Sequence, residues 1–112
     1  MELKVSRQSD HDRMLVALVG EIDLYTAPRL QSELAAALAE APASHLVVDM
    51  SGVDFCDSTG MNVLLGAHRR AHEQGGNFEL SAPRPALRKI LQVTGLDTVF
   101  AVVDGPASVG GQ

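Results

Sequence analysis

Apolar residues in this chain recur with two different periods, which alternate along the sequence. Short apolar runs at 14–19, 46–50 and 99–103 predict buried strands, because each run is too short for a helix and ends at polar or turn-forming residues. Between them, at 26–41 and 61–74, apolar residues lie three and four positions apart, which predicts helices with one buried face. The middle of the chain therefore predicts strands that alternate with helices.

The two ends of the chain complete this order. Alternation at 3–7 predicts a half-exposed strand, and the polar gap at 8–13 predicts a hairpin to the next strand. A short strand at 78–82 and a helix that stops at Gly95 precede the last strand. The order β-β-α-β-α-β-α-β predicts an α/β fold with a mixed, mostly parallel sheet of about four to five strands.

Composition narrows the number of domains and the expected location. The 112 residues, 46% of them hydrophobic, fit a single domain, which we expect at 1–104, with a flexible tail at 105–112. A net charge of −5 without a Lys/Arg block argues against nucleic-acid binding. No apolar run reaches the roughly 18 residues of a membrane span, and residues 1–10 lack the apolar core of a signal peptide. We therefore expect a cytoplasmic protein without a membrane partner.

Two polar loops are expected to meet at one edge of the sheet. The loops at 21–25 and 54–60 follow consecutive parallel strands, and functional sites of such sheets gather at the carboxyl ends of the strands. The second loop carries Ser58 and Thr59 just where a helix should begin, so either hydroxyl could accept a bond from an unpaired backbone N–H. Helix capping is the simplest interpretation of this pair.

Carboxylates and histidines raise the question of a metal site. Four carboxylates could hold Mg²⁺ near this edge, as in receiver domains of similar length, namely Asp23, Asp49, Asp54 and Asp57. Receivers, however, use an adjacent acidic pair early in the chain and a lysine late in it, and this sequence lacks both. His68 and His72 lie one helical turn apart, but no further Cys or His cluster completes a four-ligand zinc site. We expect no metal, and a packing or recognition role for the histidines.

The sequence does not favour an enzyme. Ser58 lies outside a Gly-x-Ser-x-Gly pattern and has no clearly placed histidine as its base. The single cysteine, Cys56, lies beside Phe55 in an apolar stretch, which is typical of an inert core thiol and excludes an internal disulfide. Glycine loops of the phosphate-binding kinds do not occur. We therefore expect a non-enzymatic protein without a cofactor.

Two motifs together resemble those of the STAS-domain anti-sigma-factor antagonists of bacteria. The first is Gly-Glu-Ile-Asp at 20–23, followed by Thr-Ala at 26–27. The second runs from Asp-x-Ser at 49–51 to Phe-x-Asp-Ser-Thr-Gly-Met at 55–61. The resemblance covers roughly residues 3–103, and the pair of motifs is specific although either alone would be weak.

The resemblance implies a phosphoserine switch. In that family an anti-sigma factor, which is also a serine kinase of the GHKL ATPase type, phosphorylates the first hydroxyl of the second motif. The unphosphorylated antagonist binds this kinase and releases a sigma factor, and a PP2C-type phosphatase removes the phosphate. Carried onto this sequence, the phosphoacceptor is Ser58, with Asp23 beside it. The residues implied in partner binding are Glu21, Asp23, Asp57, Ser58, Thr59, Gly60, Met61 and Asn62.

An alternative keeps the STAS fold and omits the phosphoswitch. Stand-alone STAS proteins also serve as transporter-associated subunits or signalling scaffolds, where Ser58 or Thr59 would be a contact residue and helix cap only. The sequence also departs from the family's pattern at Asn62, where relatives often have glycine. This departure would change the close contact that a partner makes at the start of the helix.

Overall fold

The computed structural model describes residues 2–104 as an α/β fold in the predicted order. The predicted tail at 105–112 lies outside the described residues. The strands and helices follow one another as β1 (Leu3–Asp10), β2 (Arg13–Ile22), α1 (Ala27–Glu40), β3 (His45–Cys56), α2 (Ser58–Glu73), β4 (Asn77–Ser81), α3 (Pro85–Thr94), a short 3-10 helix (Leu96–Thr98) and β5 (Ala101–Val103).

The strands form one five-stranded sheet in sequence order, β1-β2-β3-β4-β5. The predicted hairpin is confirmed, because β1 pairs antiparallel with β2 from Leu3 opposite Gly20 to Asp10 opposite Arg13. The other three pairs, β2 with β3, β3 with β4 and β4 with β5, are parallel. The mixed, mostly parallel sheet is therefore confirmed, with its single antiparallel pair at one edge.

Several predicted boundaries were wrong, and the first three strands are longer than predicted. The polar gap at 8–13 is mostly strand, since only residues 11 and 12 form the turn. β3 continues six residues past the predicted end at Met50, to Cys56. The last strand, predicted at 99–103, is shorter than predicted, because residues 99 and 100 are not part of a strand and β5 begins only at Ala101. Hydrogen bonds to neighbouring strands hold polar stretches extended where the sequence pattern indicates loops.

The core lies between one face of the sheet and the helices α1 and α2. These helices contact each other, with α1 over β1 and β2 and α2 over β3 and β4. Alternate residues of the central strands point into the core, which gives a buried row in each strand. The rows are Met14, Val16 and Leu18 in β2, Leu46, Val48 and Met50 in β3, and Phe78 and Leu80 in β4. Leu30, Leu34 and Leu38 of α1 and Leu64, Ala67 and Ala71 of α2 cover them, as the helical spacing predicted.

Among the residues that the structure describes, no helix is both long enough and apolar enough to cross a membrane.

The hairpin depends on a glycine at the end of the β1–β2 ladder. Gly20 has a φ of +123° and lies so close to β1 that an added Cβ would be 2.2 Å from the Glu2 carbonyl oxygen. We expect Gly20→Ala to lower the free energy of unfolding by roughly 1–3 kcal/mol, through backbone strain and overlap. Urea unfolding followed by circular dichroism measures this loss.

Gly66 provides the matched control for that substitution. It lies within α2, and an added Cβ there would meet no atom within 4 Å. Gly66→Ala should therefore raise stability by up to about 1 kcal/mol, because alanine is the better helix former. If both variants unfold at the wild-type urea concentration, the close approach at Gly20 is not a constraint on the fold.

Candidate functional site

The two predicted loops do lie at the same edge of the sheet. β2 ends at Ile22 and β3 ends at Cys56, and these two residues are register partners. One residue further on, the Asp57 N–H donates a hydrogen bond to the Ile22 carbonyl at 3.0 Å. The carboxyl ends of both strands, the start of α1 and the start of α2 therefore meet at one place.

Gly60 lets the first turn of α2 sit directly on these strand ends. A Cβ on Gly60 would lie 2.3 Å from Ile22 Cγ2 and 2.9 Å from Cys56 Sγ. Burial, aided by the charge of Asp57, raises the pKa of the Cys56 thiol to about 12, so this side chain stays protonated. The structure thus supports the prediction of an inert core thiol. This thiol packs beneath the first turn of α2.

Asp57, and not Ser58 or Thr59, caps α2. Its backbone is extended, with φ −91° and ψ −175°, and its Oδ1 accepts the Gly60 N–H at 3.1 Å. The predicted capping by a hydroxyl is therefore wrong: Ser58 is the first residue within the helix. Aspartate is as good an N-cap as serine, and the positive end of the helix dipole also stabilises the negative charge of the carboxylate.

The hydroxyl of Ser58 is left without a structural role. Ser58 is exposed, and no residue between Glu2 and Asp104 forms a hydrogen bond with its side chain. It stands at the N-terminus of a 16-residue helix, where unpaired backbone N–H groups and the helix dipole attract an anion. Its position therefore allows a reaction partner to approach, and allows a phosphate to remain once it is attached.

Asp23 is buried and stabilises its own loop through hydrogen bonds, so it is not an exposed acid. Only 6% of it is accessible, and its Oδ1 accepts the backbone N–H groups of Tyr25 and Thr26, both at 2.9 Å. Thr26 Oγ1 in turn accepts the Asp23 N–H at 2.9 Å and donates to the Glu21 carbonyl at 2.8 Å. Asp23, which the resemblance implies in partner binding, is therefore turned inward, because the loop before α1 uses this carboxylate to satisfy its own N–H groups.

These hydrogen bonds lower the pKa of Asp23. The largest cause is the Thr26 N–H, which stabilises the carboxylate more than burial destabilises it. The second oxygen, Oδ2, is buried and has no hydrogen-bond partner among residues 2–104. Asp23 is therefore ionised at neutral pH and stabilises the β2–α1 loop through hydrogen bonds to Tyr25 and Thr26.

The remaining predicted partner-binding residues divide into exposed and buried groups. Asn62 is exposed, and Glu21, Asp57 and Thr59 are half-buried. Gly60 and Met61 are buried, with only 6% of Met61 accessible, so they shape the site from below. Because both residues are buried, a direct contact between either of them and a partner remains only a prediction.

Sequence reasoning missed the exposed apolar side chains at this edge of the sheet. Leu24 and Tyr25 in the β2–α1 loop are 63% and 83% exposed, and Phe55 near the end of β3 is 51% exposed. Tyr25 and Phe55 line separate depressions, one beside β1 and the other beside α3. The signal in the sequence was the apolar pair that directly follows Asp23, in a loop expected to be polar.

The other two candidate metal ligands, Asp49 and Asp54, make polar contacts within the chain. Asp49 accepts the Ser51 N–H at 2.9 Å, and Asp54 forms an ion pair with Arg84 at 2.8 Å. The described part of the chain contains no group of three or more metal-ligating side chains.

The two histidines form part of an aromatic cluster. The rings of His68 and His72 lie 4.5 Å apart, and His68 packs edge-on against Phe78 and Phe100. Burial lowers the pKa of His68, assisted by the charge of His72. Packing is therefore the role that the structure gives His68, as the sequence indicated.

Comparison with known proteins places this arrangement in a family. The family model described as "Mlab, STAS domain" matches residues 5–104. The anti-sigma-B factor antagonist of Bacillus subtilis is 31% identical over 102 residues, which cover 91% of this chain and 92% of that protein. The chain therefore belongs to the STAS-domain family.

Solved structures agree with this assignment. An anti-sigma factor antagonist from Mycobacterium paratuberculosis superposes with a TM-score of 0.80 at 32% identity, over 91% of this chain and 86% of that one. The phosphorylated form of SpoIIAA, a Bacillus cell fate determinant, has a TM-score of 0.72 at 21% identity, over 91% of each chain. At this identity the second likeness concerns the fold alone.

Capping by Asp57 can be separated from capping by Ser58 through stability. Asp57→Ala removes the acceptor of the Gly60 N–H and should lower the free energy of unfolding by about 1 kcal/mol. Ser58→Ala removes a hydroxyl that bonds to none of residues 2–104 and should change the free energy of unfolding by less than about 0.5 kcal/mol. Urea unfolding compares the two, and a larger loss in Ser58→Ala would contradict the assignment of the cap.

The lowered pKa of Asp23 predicts a pH dependence of stability. Its folded pKa lies below the ordinary 3.8, so the stabilisation is complete above that value and is lost as pH falls through the folded pKa. Asp23→Asn keeps an oxygen acceptor but does not titrate, so its stability should fall less steeply than that of the wild type between about pH 5 and pH 2.

Urea midpoints across that range measure the difference. The matched control is Asp12→Asn in the exposed hairpin turn, because the Asp12 side chain has no hydrogen-bond partner among the described residues. The control is expected to follow the wild-type profile. Equal slopes for all three chains would show that Asp23 does not stabilise the folded state through its charge.

Proposed function

We propose that this protein is an anti-sigma factor antagonist whose binding is switched by phosphorylation of Ser58. In its unphosphorylated form it binds an anti-sigma factor that is also a GHKL-type serine kinase, and a sigma factor is released. The observation that carries the proposal is the exposed hydroxyl of Ser58, which has no partner among residues 2–104, at the start of α2 and at the meeting point of β2 and β3. The names of the relatives support the partner class.

The site suits a switch because phosphate can be added there without disturbing the fold. Phosphorylation would add a charge of about −1.5 to −2 at neutral pH. The helix dipole at Ser58 favours that charge, and the hydroxyl has no hydrogen bond to any residue in the described part of the chain. The modified protein therefore keeps its structure, and the effect of the phosphate is directed outward.

The surroundings of Ser58 explain how phosphate would weaken the complex. Ser58 is exposed at the start of α2, beside the ends of β2 and β3. A partner that binds there would cover Ser58, and a dianion at this position introduces bulk and a charge that has to lose water. Each 1.4 kcal/mol lost in this way reduces affinity about tenfold, so a few kcal/mol suffice for a switch.

The proposed role is regulatory and not catalytic, in keeping with the names of the relatives. The kinase activity belongs to the partner, and a PP2C-type phosphatase would restore the hydroxyl. Because sigma factors act on RNA polymerase, we propose that the protein works in the cytoplasm.

Kinase assays and binding measurements with the Ser58 variants test the proposal. With the cognate kinase and ATP, mass spectrometry should locate one phosphate on Ser58, and Ser58→Ala should abolish the modification. Ser58→Ala should bind the anti-sigma factor like the wild type, whereas Ser58→Asp should bind about tenfold more weakly or worse. Isothermal titration calorimetry measures both affinities.

Thr59→Ala is the matched control, because Thr59 is the neighbouring hydroxyl and is half-buried. It should leave phosphorylation intact. Binding without phosphorylation at Ser58 would favour the scaffold alternative, and modification of Thr59 in place of Ser58 would reassign the phosphoacceptor.

A further inference from the structure

The helices α1 and α2 leave a groove of about 480 Å³ between them on the outer surface of the protein. Its floor is apolar and consists of Leu34 and Leu38 of α1 and Ala67 of α2, which are 1%, 3% and 7% exposed. Its rim carries the exposed Ala35 and Gly66 at mid-length. The groove therefore combines a buried aliphatic floor with small side chains where a ligand would pass.

Gly66 is unusual because nothing in the described chain requires a glycine at this position. It lies in the interior of α2, where glycine disfavours the helix relative to alanine. An added Cβ would meet no atom within 4 Å, in contrast to Gly60 on the same helix. The missing side chain keeps the groove open toward the outside.

The groove starts at the proposed phosphorylation site and ends at a cation. Thr59 and Asn62 line its upper end, next to Ser58, and Arg70 lines its lower end. Thr59 and Arg70 are eleven residues apart on one helix, which corresponds to about 16 Å. Within residues 2–104, no acidic side chain forms an ion pair with Arg70. An occupant that reaches this end would therefore find an available guanidinium.

We propose that this groove is a second docking site for the anti-sigma factor. The occupant is a segment that lays an aliphatic side chain across Gly66 onto the floor and presents a carboxylate to Arg70. The proposal rests on the proposed function, since Thr59 and Asn62 make the groove continuous with the surface around Ser58. It adds a contact that phosphorylation of Ser58 does not alter directly.

Two consequences separate this contact from the switch at Ser58. Filling the groove should weaken binding whether position 58 is serine or aspartate. Because Ser58 and Gly66 lie about 12 Å apart along the helix, the effects of Ser58→Asp and of a groove substitution should multiply in a double variant.

The test is a calorimetric titration of the cognate anti-sigma factor with variants of the full chain. Gly66→Phe places a ring over the floor and should weaken binding roughly tenfold, and Arg70→Glu should weaken it by a similar factor. Gly66→Ala should weaken binding less than Gly66→Phe does and should raise the melting temperature by roughly 4 °C. Ala36→Phe is the matched control, because Ala36 is exposed on α1 and does not line the groove. Circular dichroism verifies that each variant is folded.

Wild-type affinity in both Gly66→Phe and Arg70→Glu would overturn the groove proposal, and the phosphoswitch would stand if Ser58→Asp still weakens binding. If Gly66→Phe weakens binding and Ser58→Asp does not, the groove proposal stands and the phosphoswitch is overturned. If the wild-type chain binds no anti-sigma factor, both proposals fail. Sedimentation analysis provides a further outcome: self-association that Gly66→Phe abolishes would assign the groove to a second copy and overturn the proposed occupant.

Discussion

The close packing of the first turn of α2 on the ends of β2 and β3 determines where the side chains of the site lie. Only a glycine at position 60 allows it, since a methyl group there would overlap Ile22 and Cys56. The packing aligns the Asp57 N–H with the Ile22 carbonyl and leaves the Asp57 carboxylate to cap the helix. Because Asp57 supplies the cap, the neighbouring hydroxyl of Ser58 is not needed for capping and has no hydrogen bond to any described residue.

The sequence predicted the order of the elements because buried strands and helices carry strong, different periods. It failed along β3 for a specific physical reason. Burial there recurs at Met50, Val53 and Cys56, every third residue, and not at every second residue as in a regular strand. Two register shifts against β2 cause this spacing, between Ala17 and Val19 and between Gly20 and Glu21. Such bulges depend on the partner strand, which the local pattern of one strand does not contain.

The error at β3 also explains the wrong cap. A strand that ends at Met50 makes residues 54–60 a loop. In such a loop Ser58 and Thr59, which lie nearest the helix, are the expected N-caps. With the strand extended to Cys56, Asp57 is the one residue between strand and helix, and it takes the extended backbone of an N-cap. The prediction that both loops share one edge did not depend on this boundary, because it follows from the order of parallel strands. The exposure of Tyr25 and Phe55 could not be predicted in the same way, since it depends on which surfaces other elements leave uncovered.

A kinase that is also the binding partner has to engage its substrate and then release its product, and the geometry of α2 offers a way to do both. Arg70 lies about 18 Å along the helix from Ser58, and charges at physiological ionic strength are screened within about 8 Å. In the proposed switch, a phosphate on Ser58 would act on partner contacts at the start of α2 and would leave the lower end of the groove unchanged. A partner with contacts at both places would lose affinity in one step without losing its orientation. Phosphorylation would then shorten the lifetime of the complex, while contacts in the groove would still determine which partner binds.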